Sequence, residues 1–194
     1  MAKKNQYEAK NIEVLEGLQP VRKRPGMYIG STNQDGLHHL VSEILDNSID
    51  EVVAGHATNI SFYYNKDGYI TIKDNGRGIP VDFHPKFKNK RALEIVLTTL
   101  HAGGKFNNEV YKTSGGLHGV GISVVNALSS DLSVKVFKNG KVFSQKYSQG
   151  KVKSKITIEK CSKKLKGTEI RFHPDDEIFE KINFIPKNYL NLLK

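Results

Sequence analysis

The sequence predicts an α+β domain in which helices cover one face of a single, mostly antiparallel sheet. Three features carry that expectation. Residues 37–53 repeat apolar side chains at a helical period, residues 59–74 read as a strand hairpin, and residues 132–173 return to a period of two. Helices dominate the first two thirds of the chain and a meandering sheet the last third.

The 194 residues suffice for one domain with a sizeable core. Nothing approaches a run of about 18 apolar residues, so no membrane span is expected. The opening MAKKNQYEAKN has lysines with no apolar stretch behind them, unlike a secretory signal. Cys161 is the single cysteine, which leaves no internal disulfide or cysteine metal cluster and fits a reducing cytoplasmic setting. The formal charge of +10 allows a polyanionic partner without naming one. Much of the excess lies at residues 86–90 and 151–166, read as loops or edge strands, where lysines equally serve to prevent edge pairing.

Taken in order, residues 1–11 lack periodicity and are expected to be an arm or a frayed terminus. Residues 12–18 read as a short helix with Asn11 as its cap and Gly17 and Pro20 near its end. VRKRPGMYIGS (21–31) joins a basic cluster to a Pro25-Gly26 turn. In the following helix, Leu37, Leu40, Val41, Ile44, Leu45, Ser48, Ile49 and Val52 share an apolar stripe. Glu43, Asn47 and Asp50 recur at steps of four and three on the opposite side, and Gly55 supplies a stop. Strands at 59–64 and 69–74 turn at Lys66-Asp67-Gly68. Residues 91–100 form an amphipathic helix with Leu93, Val96, Leu97 and Leu100 inward. Residues 101–114 are a long polar loop with paired glycines, a type that often carries function. A helix opens at residues 122–128. Strands at 132–138 and 141–148 are joined by Asn139-Gly140, residues 155–160 and 168–173 add another pair, and a helix is possible after Pro186.

Two glycine-punctuated segments give the helix face a chemical reading. DNGRGIP (74–80) closes a strand; Gly76 and Gly78 let the backbone turn sharply and a flat ligand approach, and Asp74 can accept from a ring amino group. Alone, it is equally a turn with a polar cap. GGLHGVG (115–121) places four glycines in seven residues ahead of a helix, an arrangement that holds polyphosphate on backbone N–H groups. It lacks the GKS or GKT ending of a Walker A loop and the βαβ surroundings of a dinucleotide fold. His118 inside it is a ligand contact or a packing residue. In combination, Glu43 serves as general base on a water attacking a terminal phosphate and Asn47 offers an oxygen to Mg²⁺. Asp74 reads the base, the backbone from Gly116 to Gly121 cradles the phosphates, and Lys105 reaches phosphate charge from the loop.

With those residues in view, VRKRPGMYIGS (21–31), EILDNSIDE (43–51), DNGRGIP (74–80), LHAGGKF (100–106) and SGGLHGVGISVVNALS (114–129) resemble the N-terminal ATPase domain of bacterial type II topoisomerase B subunits. That family holds DNA gyrase B and its topoisomerase IV counterpart; the opening segment and GTEIRFHPDDEIF (167–179) favour the latter type. The resemblance implies the GHKL (Bergerat) fold shared with Hsp90, MutL and sensor histidine kinases. This is a two-layer α/β sandwich with a mixed, mostly antiparallel sheet covered on one face by helices. It implies ATP and Mg²⁺ as cofactors, with Glu43 as catalytic base, Asn47 as metal ligand and Asp50 ordering the site. Asp74 would receive the adenine amino group directly and through a water shared with Thr168. Arg77 and Pro80 would border the adenine pocket, with Gly78 and Ile79 in the same site. Lys105, Tyr111 and Lys112 would belong to the lid, with Gly116, Leu117, His118, Gly119, Val120 and Gly121 around the phosphates. Tyr7, on the residue 1–11 dimerisation arm, would reach the nucleotide of a second B subunit. The implied partners are that second copy, an A-type subunit in an A2B2 heterotetramer, duplex DNA and ATP-site inhibitors such as aminocoumarins, with no membrane. Residues 12–194 would be the ATPase domain, ending before its last strand and the transducer domain, so hydrolysis by the fragment alone would be weak. The different-class alternative is a non-catalytic basic module with salt-sensitive nucleic-acid affinity.

One departure from the family pattern is testable. Lys138 stands before the hairpin turn where many relatives have arginine, so the charge is kept but the planar, bidentate fork is lost. Aminocoumarin affinity should rise in Lys138→Arg with little change for ATP; competitive binding giving equal inhibitor affinity in both proteins would refute this.

Overall fold

The computed structural model describes residues 8–103 and 121–180. A 3-10 turn at Ala9–Asn11 precedes α1 (Gln19–Lys23), α2 (Gly26–Ile29) and the long α3 (Gln34–Val53). Strands β1 (Ile60–Tyr64) and β2 (Ile70–Asp74) follow, then α4 (Ala92–Thr98) and α5 (Gly121–Ala127). The sheet is completed by β3 (Ser129–Lys138), β4 (Lys141–Ser148), β5 (Lys151–Val152), β6 (Thr157–Lys160) and β7 (Gly167–Pro174). The possible helix after Pro186 lies outside the described residues.

The helix expected at residues 12–18 is absent. Ile12 and Val14 are 61% and 79% exposed there, so no apolar face exists to hold a turn of helix against the core. Pro20, read as a terminator, instead starts α1: in a first turn its missing N–H has no intrahelical partner to lose. Helix α3 begins where its chemistry dictates. Asn33 caps it by accepting the Asp35 N–H at 2.8 Å, Asp35 meets the positive end of the helix dipole, and the helix ends at Ala54 ahead of Gly55.

The strand order is β1-β2-β7-β3-β4-β5, with β6 also on β4, and every pairing among the described residues is antiparallel. The β3–β4 turn has Asn139 at φ +55° and Gly140 at φ +72°, the double left-handed geometry that matches strand twist. The expectation that residues 155–160 and 168–173 pair with each other is corrected: β7 inserts between β2 and β3, while β6 lies at the edge on β4. Burial explains the separation. Thr168, Ile170, Phe172 and Pro174 of β7 are buried and suit the middle of the sheet, whereas all four residues of β6 are exposed.

The core lies between the inner sheet face and the helices. Ile70, Ile72, Leu132, Val134, Val136, Ile170 and Phe172 meet Leu37, Leu40, Val41, Ile44 and Leu45 of α3, with α4 and α5 alongside. Two α3 assignments change. Val52, placed in the apolar stripe, is 41% exposed, and Asp50, placed on the opposite face, is only 4% exposed. The α3 stripe therefore rotates off its apolar line near its C-terminal end, where β2 and the loop after it take over as neighbours.

The closing end of α5 is tied to both flanks of the chain. Arg22 Nη1 donates to Ala127 O at 2.9 Å and to Asp175 Oδ2 at 2.6 Å, and the Asp175 N–H donates to Leu128 O at 2.9 Å. Burial opposes the Asp175 charge, but the Arg22 guanidinium, the Glu177 N–H and Gln149 together hold its pKa below the ordinary carboxylate value. Because the folded pKa is depressed, the stabilisation is present above the unfolded value and is lost as pH falls through the folded one. Arg22→Ala should cost about 3 kcal/mol at neutral pH by stranding a buried carboxylate. In urea unfolding, the deficit of Asp175→Asn should shrink as the solution is acidified below the ordinary carboxylate range; a pH-independent deficit would contradict the ion pair.

Candidate functional site

Asp74 ends β2 with its side chain on the inner face, 7% exposed. Its Oδ1 accepts the N–H of Gly76 at 2.8 Å and of Thr168 at 3.3 Å. Its Oδ2 lies 3.3 Å from Ser48 Oγ of α3. Among the described residues no cation pairs with it. Burial outweighs the two backbone donors and raises its pKa, and the nearby Glu51 charge adds to the rise. A buried carboxylate with one oxygen served by a single long hydroxyl contact keeps capacity to accept from a donor outside the chain.

Gly167 makes that seat possible. It sits at φ +110°, and a Cβ there would fall 2.0 Å from Asp74 O, so only glycine lets β7 run against the end of β2. Thr168 beside it donates its backbone N–H to Asp74 and receives the Ile79 N–H on Oγ1 at 3.2 Å. Thr168 thus joins the two halves of the loop that starts at Asp74. Gly78 packs on Val136 of β3 and on Gly167 O, and Pro80 is exposed at the loop's outer end.

Glu51 is a functional-site residue that the sequence reading missed. Its carboxylate accepts the Arg77 N–H at 2.9 Å and grips the guanidinium through Nε at 3.1 Å and Nη2 at 2.7 Å. This bidentate pair, with Glu51 13% exposed, pins the glycine loop onto the end of α3. Arg77, expected at the pocket border, is committed to that clamp. Helical spacing gave the signal: Glu51 lies one turn beyond Asn47.

At the other end of the same helix face, Glu43 and Asn47 are half-buried. Asn47 Nδ2 donates to Glu43 O at 2.6 Å, which turns the amide oxygen, the atom that Mg²⁺ takes, away from that carbonyl. His39, a second residue missed in the sequence, brings Nε2 within 3.2 Å of Glu43 Oε1 from one turn earlier. Its position four residues before Glu43 was the available clue. Gly121, the first residue of α5, lies against Glu43: a Cβ there would fall 1.9 Å from Glu43 Oε2. Asp50, also a candidate, is buried on the side of α3 away from solvent.

Glu43, Asn47, Asp74, Thr168 and Gly121 thus surround one face of α3, with Ser48 as the hinge between its two ends. Tyr7, Lys105, Tyr111, Lys112, Gly116, Leu117, His118, Gly119 and Val120 lie outside the described residues. Among the described residues no group of three or more His, Cys, Asp or Glu is placed to hold a metal ion. Mg²⁺ bound with phosphates needs only one or two protein oxygens, and the Asn47 amide fits that donor chemistry. The Gly121–Glu43 approach leaves room for backbone alone beside the Glu43 carboxylate.

Residues 32–178 match the family model described as histidine kinase-, DNA gyrase B-, and HSP90-like ATPase. The B subunit of DNA topoisomerase 4 from Rickettsia felis is 61% identical over 191 residues, covering 98% of this chain and 29% of the relative. The 43K ATPase domain of Thermus thermophilus gyrase B, solved with an aminocoumarin, aligns with TM-score 0.79 and 43% identity over 91% of this chain and 44% of that one. The topoisomerase IV ATP-binding domain of Francisella tularensis, solved with a small-molecule inhibitor, aligns with TM-score 0.76 and 40% identity over 93% of this chain and 83% of that one. The chain spans under a third of the length of the Rickettsia felis relative. Sequence, sheet topology and the residues gathered around α3 agree, and the chain belongs to the histidine kinase-, DNA gyrase B- and HSP90-like (GHKL) ATPase family, as a homologue of the ATPase domains of the topoisomerase IV and DNA gyrase B subunits.

Proposed function

We propose that the chain binds ATP with Mg²⁺ and hydrolyses it as the nucleotide-dependent part of a topoisomerase IV B-type subunit. The observation that carries the reading is Asp74: a buried carboxylate, without a cation among the described residues, closely approached by Gly76 and Gly167. An adenine amino group is the donor this acceptor lacks. Thr168, tied to the same loop, lies where a water could be shared between base and protein. The preference for the topoisomerase IV type over gyrase rests on the 61% identity to the Rickettsia felis relative.

Glu43 is the general base. Its carboxylate takes a proton as a water oxygen bonds to the γ-phosphorus; the bond to the bridging oxygen breaks and its electron pair leaves with ADP. His39 orients Glu43 from 3.2 Å, and Gly121 keeps side-chain bulk from between Glu43 and the phosphates. Mg²⁺, when bound, neutralises phosphate charge, and Asn47 would hold it by the amide oxygen. Asp50 orders the helix end from within the core. Tyr7, Lys105, Tyr111, Lys112 and Gly116 to Val120 are assigned to the arm, lid and phosphate wrap on resemblance alone. In the whole protein, nucleotide-driven pairing of two B subunits would serve DNA strand passage together with an A-type subunit.

Calorimetry with a non-hydrolysable ATP analogue tests the pocket. Asp74→Asn should abolish binding, and wild-type affinity should fall as pH drops through the raised Asp74 pKa, above the ordinary carboxylate range. Full affinity in Asp74→Asn would remove the basis of the reading. In the full-length protein, Glu43→Ala should keep analogue binding and lose turnover by at least about 100-fold, the usual scale for a general base. Gly121→Ala should lose turnover as well, because its methyl group and the Glu43 carboxylate need the same space; unchanged steady-state rates in either variant would count against the assigned roles.

A further inference from the structure

The charge of this chain is unevenly held. Within residues 151–166 there are seven lysines and one acid, Glu159. The strand register turns that composition into an arrangement. Lys138 of β3 stands directly opposite Lys141 of β4, and Lys141 directly opposite Lys160 of β6. Three ammonium groups thus lie in a row across three strands, although like charges in directly opposed positions repel. Lys163 adds a fourth: its side chain packs over the Asn139–Gly140 turn, with Cγ 3.0 Å from where a Gly140 Cβ would be. None of the four makes an ion pair among the described residues. A cavity of about 230 Å³ opens beside the row, lined by Lys138, Lys141 and one acid, Asp82. Glu159 opposes Val142, so it projects from the other face of the sheet.

The same edge continues away from the turn. A second cleft, of about 430 Å³, is bordered by Lys153, Lys155, one acid, Glu94, and Arg91, whose guanidinium stacks 4.5 Å from the exposed Phe83 ring.

We infer that this edge, formed by β6, the β3–β4 turn and the β5–β6 connection, is a binding surface for the phosphate backbone of duplex DNA. Protection against strand addition needs only a charge or two on the edge strand. It does not require lysines opposed across three strands or a fourth laid over the turn. An acidic peptide is attracted by the same lysines, but a flexible chain must be ordered to meet them, whereas a duplex presents a rigid, dense line of phosphates to the whole row and gains by releasing counterions. Lys138, which the family resemblance sets at the border of the adenine pocket, is where this surface meets the nucleotide cleft; Lys141, Lys160 and Lys163 extend it outward, and contact there does not depend on ATP binding. It names a contact for the DNA partner of the proposed function on the outer rim of this domain.

The test is fluorescence anisotropy of a labelled duplex of about 20 base pairs with the chain, without nucleotide, over a salt series. Binding should weaken steeply with salt. Lys141→Gln with Lys160→Gln should weaken it about tenfold at low salt and lower the slope of log K against log salt by about two, close to one per lost contact. Lys66→Gln, in the β1–β2 turn at the far end of the strand order, should change neither quantity. Calorimetry with the ATP analogue should give the parent value in both variants, so a failure of the nucleotide reading is scored separately. The inference is overturned by absence of salt-sensitive duplex binding in the parent, by an unchanged slope in the double variant, or by an equal effect of Lys66→Gln per charge removed. Binding of poly-glutamate but not DNA would also overturn it and assign the edge to an acidic protein.

Discussion

The seat of the Asp74 carboxylate constrains more of this molecule than any other single contact. A carboxylate taken out of water without a cation must be met by hydrogen-bond donors, and three elements converge to supply them: the turn at Gly76, the start of β7 at Thr168, and Ser48 on α3. Each donor imposes a condition on the fold. β7 must insert next to β2, Gly167 must take a left-handed conformation against Asp74 O, and α3 must cross the sheet at the height of β2. The insertion of a late strand into the middle of the sheet is therefore tied to the chemistry of one acid.

Helix α3 bears two loads on two sides. Its inward side chains Leu37, Leu40, Val41, Ile44 and Leu45 are buried almost completely and fix its height above the sheet. Because successive turns stack side chains along one line, a helix fixed in this way delivers Glu43, Asn47 and Glu51 to set positions along the cleft. Glu51 clamps the loop after β2 through Arg77, and Glu43 faces Gly121 of α5. The Asp74 loop and the Glu43–Gly121 contact are thus referred to the same rigid rod, which suits the positioning that the proposed reaction requires. α5 is gripped at its far end by Arg22, so the wall opposite Glu43 is anchored through the core as well.

The sheet edge at β6 obeys different rules. Its residues are exposed, its lysines are unpaired among the described residues, and no core packing selects them. Short-range hydrogen bonds to the Asp74 and Glu51 carboxylates organise the region near β2 and β7, while long-range electrostatics dominates three strands away. The two regions meet through β3, where Val136 packs on the glycine loop and Lys138, two residues later on the same face, begins the basic row.

Much of this was legible in the sequence because it depends on local periodicity or local turn chemistry. The apolar stripe of α3, the Asn139-Gly140 hairpin, the glycines near Asp74 and the acid–amide spacing of Glu43 and Asn47 are properties of residues close in the chain. Family-specific strings such as DNGRGIP and EILDNSIDE pointed to the family to which the chain belongs. What depends on distant partners was not legible. The order of β7 between β2 and β3, the burial of Asp50, the exposure of Val52, and the coil at residues 12–18 follow from which surfaces meet. The Glu51–Arg77 clamp and the Lys138–Lys141–Lys160 row need strands and helices separated by tens of residues to be laid side by side. Sequence by itself determined the family and the local elements that carry the proposed site residues; only the tertiary structure decided which of them are brought within hydrogen-bond reach, because burial and register are set by contacts the local chain does not encode.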